Sequence, residues 1–152
     1  MPSGRSGRGG LPAGTIVLTL EGEIPVEFLA PGDRIVARNC GSARLEDVEA
    51  VHVTEHCVEI AAGSLGDTRP ETELILPASQ PVLLRDWRAR ALFGQPQAVA
   101  PIGALVDHGF VRDLGERELT LHRLIFARDQ VIYAGGLEVM SAPVLSLIRP
   151  AA

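Results

Sequence analysis

The feature that most constrains this chain is how its apolar residues are packaged, in short runs that proline or glycine repeatedly stops. Residues 74–94 show the pattern. Leu74, Ile75 and Leu76 form one run and Val82, Leu83 and Leu84 another. Between them Pro77-Ala78-Ser79-Gln80-Pro81 forces a turn, because each proline fixes φ, lacks an N–H and pushes its predecessor towards extended geometry. Runs of this length suit strands better than helices. Composition agrees: 16 glycines and 11 prolines break the chain often, and an apolar fraction of 46% with only 4% aromatic implies a core of Val, Ile, Leu and Ala. The expected fold is all-β and compact, of about ten short strands with at most one or two helical turns.

A chain of 152 residues has room for one domain with a real core. Residues 1–10 are mostly Gly, Ser and Arg with little to bury and are expected to form a flexible tail. The domain then runs over 11–140, with 141–152 as a last strand or tail in which Pro143 limits pairing to an edge. Ile16 to Leu20 reads as a strand, Glu21-Gly22-Glu23 as a hairpin turn that uses positive φ at Gly22, and Ile24 to Leu29 as a helical turn starting at Pro25. Ala30-Pro31-Gly32-Asp33 makes a tight turn before a strand from Arg34 to Arg38, and Asn39-Cys40-Gly41-Ser42 is the next turn. Residues 45–60 read as a long, twisted or broken strand, and 63–71 as a polar loop. Arg85-Asp86-Trp87-Arg88 is expected at a loop corner. Residues 119–126 alternate well, and 130–134 follow as the second half of a hairpin ended by Gly135-Gly136.

A net charge of −5 argues against a nucleic-acid or anionic-membrane surface, which needs a basic face. No apolar run is long enough to span a bilayer. The first ten residues lack the apolar stretch of a secretory signal, so a cytoplasmic location is the default, with secretion inside a larger precursor left open. Cys40 and Cys57 are too few for a disulfide framework and match no zinc spacing.

Several groups invite a chemical reading. His52 and His56 share one face of a strand, with Cys57 on the other, which could begin a metal site but supplies no fourth ligand. Asp107-His108 could be an acid–base pair, although adjacent residues on a turn diverge and a solvated turn is the simpler account. Arg85, Asp86 and Arg88 around Trp87 fit a corner held by a charge pair and the indole N–H. No phosphate loop, paired-histidine helix or nucleophile elbow is present, and nothing calls for a metal or a cofactor.

The order of the pieces carries more. Pro12-Ala13-Gly14-Thr15-Ile16-Val17, followed by Gly22-Glu23-Ile24-Pro25-Val26-Glu27-Phe28-Leu29-Ala30-Pro31-Gly32-Asp33-Arg34-Ile35, resembles the opening of Hint (Hedgehog/intein) domains, especially the stand-alone bacterial type. Three further stretches fit in order. They are Val58 to Gly66, Leu83-Leu84-Arg85-Asp86-Trp87-Arg88-Ala89 to Leu92-Phe93-Gly94, and His122 to Phe126 with Val131-Ile132-Tyr133-Ala134. The resemblance covers roughly residues 10–136 and implies an all-β, horseshoe-like, autoprocessing fold. In that family a Cys or Ser at the domain's first position attacks the preceding carbonyl, and a histidine ahead of the Leu-Leu-Arg strand protonates the leaving nitrogen.

This chain departs from that pattern at the chemical positions. The alignment puts Gly10 where the nucleophile belongs, and residues 7–14 contain no Cys, Ser or Thr. It puts Gln80 where the assisting histidine belongs, and a glutamine amide cannot act as an acid at neutral pH. Asp129 takes the place of a third histidine, and His122 alone is retained. The resemblance therefore implies a Hint-like domain that has lost the N-to-S/O acyl shift and serves as a binding or structural module for a protein or peptide, through the cleft around Gln80, His122 and Trp87. The alternative is a self-cleaving domain with its nucleophile in an unexpected position. A metal module built on His52 and His56 is a third reading, and the oligomeric state is left open.

Overall fold

Two long strands organise the fold: β6 (Asp47–Ile60) and β10 (Val111–Ile125) pair antiparallel from Val111↔Ile60 to Ile125↔Asp47, with one bulge between Asp113 and Gly115. The computed structural model describes residues 9–38, 40–62, 73–85, 87–106 and 111–141. Within these residues twelve strands form two antiparallel sheets, joined by one short helix and two 3-10 turns. The all-β expectation holds. The strands are not all short, however, because β6 and β10 each satisfy the other's backbone along their length. That pairing overrides the imperfect alternation that made residues 45–60 read as twisted or broken.

The first sheet has the order β1-β10-β6-β7, with β1 at Leu11–Pro12 and β7 at Leu74–Pro77. The second has the order β3-β2-β4-β11-β12-β8-β9, with β5 paired to β4. Its hairpin of β2 (Ile16–Thr19) and β3 (Gly22–Pro25) turns where Gly22 takes φ 112°. There the Thr19 hydroxyl donates to Gly22 O and accepts from the Glu21 N–H. A 3-10 turn over Val26–Phe28 follows Pro25 as the residue pattern anticipates. It leads to β4 (Arg34–Ala37) and β5 (Gly41–Arg44).

The proline-bounded turn between β7 and β8 (Pro81–Leu84) is closed by a bond from Gln80 N–H to Pro77 O, 3.0 Å. Ile102 N–H then donates to Gln80 O and Gly103 N–H to Ala78 O, both at 2.9 Å. A side chain at Gly103 would bring its Cβ within 2.8 Å of Ala78 Cβ, so glycine there lets two backbones meet. These contacts come from the 3-10 turn Ile102–Leu105, which follows β9 (Ala98–Pro101). Between β8 and β9, Trp87 opens a helix, α1 (Trp87–Phe93), instead of standing at a loop corner. Arg88, Ala89, Arg90, Ala91 and Leu92 are good helix formers, and buried Ala89 anchors one face. β11 (Val131–Ala134) and β12 (Leu137–Met140) complete the second sheet.

The core lies between the sheets. Val17, Ile35, Leu45, Ile60, Leu76, Ile102 and Ile132 are fully or almost fully buried in it. The expected tail 1–8, the turn at Asn39, the loop 63–71, Asp86, Asp107-His108-Gly109 and the segment 142–152 lie outside the described residues. The last two residues of the tail expected over 1–10, Gly9 and Gly10, are buried.

Candidate functional site

The turn after β7 and the strand β10 converge on the chain just before β1. Ser79 and Gln80 stand at that turn because the two prolines leave it no other path. Leu121 and Arg123, two residues apart on β10, share one face of the strand, and both lie against Gly10. The segment at Gly9 and Gly10 passes between these walls, with φ of 78° and 131°.

Its backbone is gripped by side chains from both walls. Gly9 N–H donates to Ser79 Oγ at 3.0 Å, and Gly10 N–H donates to Gln80 Oε1 at 2.8 Å. Arg123 Nε donates to Gly9 O at 2.8 Å. His122 Nδ1 lies 3.3 Å from Leu11 O and is the donor in the tautomer that carries its proton there. The gripping groups are themselves held. Gln80 Nε2 donates to Pro81 O at 2.8 Å and Met140 O at 2.9 Å. Ser79 Oγ donates to Glu55 Oε1 at 3.1 Å, and the other Glu55 oxygen faces Arg123 Nη2 at 3.8 Å in a pair only 8% and 5% exposed.

A recess of about 80 Å³ opens beside the segment, lined by Gly10, Gln80, His122, Arg123 and Met140 among others. Neither Trp87 nor Asp129 lines it. Trp87 is exposed, with the Arg88 guanidinium 4.8 Å from its ring centroid. Asp129 is exposed before β11. The structure thus brings together Gly10, Gln80 and His122, and leaves Asp129 and Trp87 outside. Sequence reasoning missed Arg123, Ser79 and Glu55. Their only signal was period-2 alternation, which faces Arg123 and Glu55 inward on their strands although both are charged.

The other candidates resolve separately. His52 and His56 do share an exposed face of β6, but each turns to a partner on β10. His52 reaches Thr120 Oγ1 at 3.1 Å and Glu118 Oε2 at 2.9 Å, and His56 pairs with Asp113. Among the described residues no group of three His, Cys, Asp or Glu side chains could hold a metal ion. Asp113 is held below the usual carboxylate range, first by the Gly115 N–H and then by His56. Cys57 is buried, which pushes its thiol up, and the charge of Glu55 adds to this. Both cysteines are free thiols. Arg85 makes a two-pronged pair with Glu138 at 2.8 and 2.7 Å, which also raises the Arg85 pKa. The Glu27 carboxylate is lowered chiefly by the Gly14 N–H, 2.7 Å away.

Comparison with known proteins gives the class. The Hint domain family matches residues 10–143, and the chain belongs to that family. No curated protein matches the sequence. Among solved structures, the bacterial intein-like domain from Clostridium thermocellum aligns over 88% of this chain and 97% of its own, with a TM-score of 0.59 at 12% identity. The gp41-1 intein aligns over 86% and 97%, with a TM-score of 0.56 at 16% identity. A DnaB intein from Synechocystis aligns over 86% and 96%, with a TM-score of 0.54 at 13% identity. At these identities the likeness establishes a shared fold. An autoprocessing type of domain is what that fold supports in general terms.

Proposed function

We propose that this Hint domain no longer performs the acyl shift and that its former cleft now holds the chain's N-terminal segment in place, as a structural or binding module. The observation that carries this reading is the geometry at position 10. Glycine offers no nucleophile, its φ is 131°, and a Cβ there would lie 2.9 Å from Leu121 Cβ. A nucleophilic side chain at this position meets backbone strain and a steric wall together.

The second support is Gln80. Departure of an amine from a tetrahedral intermediate needs a proton delivered to nitrogen. Gln80 presents its carbonyl oxygen to Gly10 N–H and so accepts where an acid would have to donate. The net charge of −5 favours a peptide or protein partner over nucleic acid, and no helix among the described residues is long and apolar enough to cross a membrane.

The test is mass spectrometry of a fusion that carries a folded partner upstream of residue 1, incubated with and without thiol. The intact mass is expected in both. Cleavage between Gly9 and Gly10 would overturn the reading.

One observation favours a second reading, a self-cleaving domain with a displaced nucleophile. Ser79 Oγ is close to Gly9 and backed by the buried Glu55 carboxylate. Arg123 Nε sits on Gly9 O where an oxyanion would form. Under that reading the same fusion would cleave, and Ser79→Ala would stop it.

A further inference from the structure

The grip on Gly9 and Gly10 is more selective than a structural tie requires. We propose that the groove between the Ser79-Gln80 turn and β10 is a diglycine-selective peptide site, filled in this chain by its own Gly9 and Gly10 and able to take the same motif from another polypeptide when that segment is withdrawn. The inference rests on the reading of the cleft as a binding module.

Three sets of observations carry it. The contacts are to backbone: Gly9 N–H, Gly9 O and Gly10 N–H are met by Ser79, Arg123 and Gln80, so they recognise any peptide by its main chain. Selectivity comes from exclusion. A Cβ at position 9 would stand 3.0 Å from Gln80 Oε1 and 3.3 Å from Pro81 Cδ, and one at position 10 would stand 2.9 Å from Leu121 Cβ. Both positions also hold positive φ, which side chains other than hydrogen rarely adopt. Two adjacent glycines meet these demands without strain.

Third, the walls do not depend on the segment for their shape. Gln80 is tied by its amide nitrogen to Pro81 O and Met140 O, Ser79 is tied to Glu55, and Arg123 faces the same carboxylate. Groups fixed by their own partners remain in position when the occupant leaves, and preorganisation of that kind reduces the ordering cost of a new occupant. In the wild type the covalently attached segment competes at an effective concentration on the order of millimolar or above. Binding in trans therefore has to be sought where that segment cannot seat.

Gly10→Val supplies this condition in the full chain. The probe is a fluorescein-labelled peptide of residues 6–12, Ser-Gly-Arg-Gly-Gly-Leu-Pro, followed by anisotropy. The Gly10→Val chain is expected to bind it at least tenfold more tightly than the wild type does. It should also prefer it at least tenfold over the same peptide with valine at the second glycine of the pair. Equal binding of the two peptides, or no binding by a folded variant, overturns the proposal. If Gly10→Val does not fold, hydrogen exchange decides on the wild type and Gln80→Ala. The Gly10 amide is expected to exchange at least a hundredfold slower than in the free peptide, and to lose most of that protection in Gln80→Ala. Exchange at the free-peptide rate in the wild type overturns the site. Cleavage of the fusion described above would instead sink the loss of activity, and it leaves the exchange result standing as an independent reading of the grip.

Discussion

Two regions of this molecule carry polar clusters, and they are built in opposite ways. On the outer face of β6 and β10, His52, His56, Glu118 and Asp113 pair across the strands in water, with the His52 and Glu118 side chains 61% and 70% exposed. Beside β1, the Arg123 and Glu55 pair is 8% and 5% exposed and is joined by Ser79 and the amide of Gln80. The first region holds residue types usually linked to metal binding or acid–base work, yet each histidine is spent on a local partner. The second has glycine at position 10 and gathers buried side-chain hydrogen bonds around it. Solvent screening reduces the energetic weight of the outer cluster, and desolvation raises that of the inner one.

Breaking the inner cluster should therefore give the largest effects. Arg123→Gln is expected to cost about 3–5 kcal/mol, because it leaves the buried Glu55 carboxylate without its cation; urea unfolding followed by circular dichroism reads this directly. A loss within about 1 kcal/mol would place this pair with the exposed ones and erase the contrast.

Gln80→Leu comes next. It keeps the bulk of the side chain while removing the acceptor for Gly10 N–H and the donor for Met140 O. Leaving buried polar groups unsatisfied should cost about 1–3 kcal/mol in the same measurement. His52→Ala, by contrast, is expected to change stability by no more than about 0.5–1 kcal/mol. A larger loss there would show that the outer face is structural after all.

The smallest effect concerns pH. Asp113 is about half exposed, and its pKa is lowered, first by Gly115 N–H and only then by His56. A carboxylate depressed on folding adds stability above its ordinary pKa and loses it as pH falls through the lowered value. Because the Gly115 N–H is the larger cause, His56→Ala should raise the Asp113 pKa only partway in a carboxyl-detected NMR titration. Full return to the ordinary range would assign the effect to the histidine.

Much of the fold was legible because its signals are local. Proline before and after Ala78-Ser79-Gln80 dictates a turn wherever the chain goes, and the β2–β3 hairpin follows from Gly22 and the flanking apolar runs. Trp87 misled because a short helix of Trp, Arg, Ala and Leu has no periodic apolar face to advertise it. Only Ala89 is buried in it. The strand from Val111 was legible only from Leu119 onward, since the part around Gly115 alternates poorly and is held by pairing with β6.

At the candidate site the division is sharper. Gly10, Gln80 and His122 could be named in advance because a resemblance in sequence order pointed at those positions. Gly10→Cys with Gln80→His would put the family's groups back at two of those positions and so probe the fold. The 2.9 Å separation of a Cβ at Gly10 from Leu121 Cβ makes it harder, since the new side chain would have to displace a fully buried leucine.

From the residues alone came the all-β class and the turn that carries Gln80, both properties of chemistry and short-range geometry, and the resemblance in sequence order added that glycine stands at position 10 where a nucleophile is expected. Only the tertiary structure decided that Arg123 faces Gly9 and His122 faces Leu11, that Glu55 anchors both Ser79 and Arg123, and that two glycines are enclosed by side chains from Gln80, Pro81 and Leu121. Those facts depend on where β10, β6 and the turn after β7 meet. Residues more than sixty positions apart in the chain come into contact there, and no local pattern encodes such a meeting.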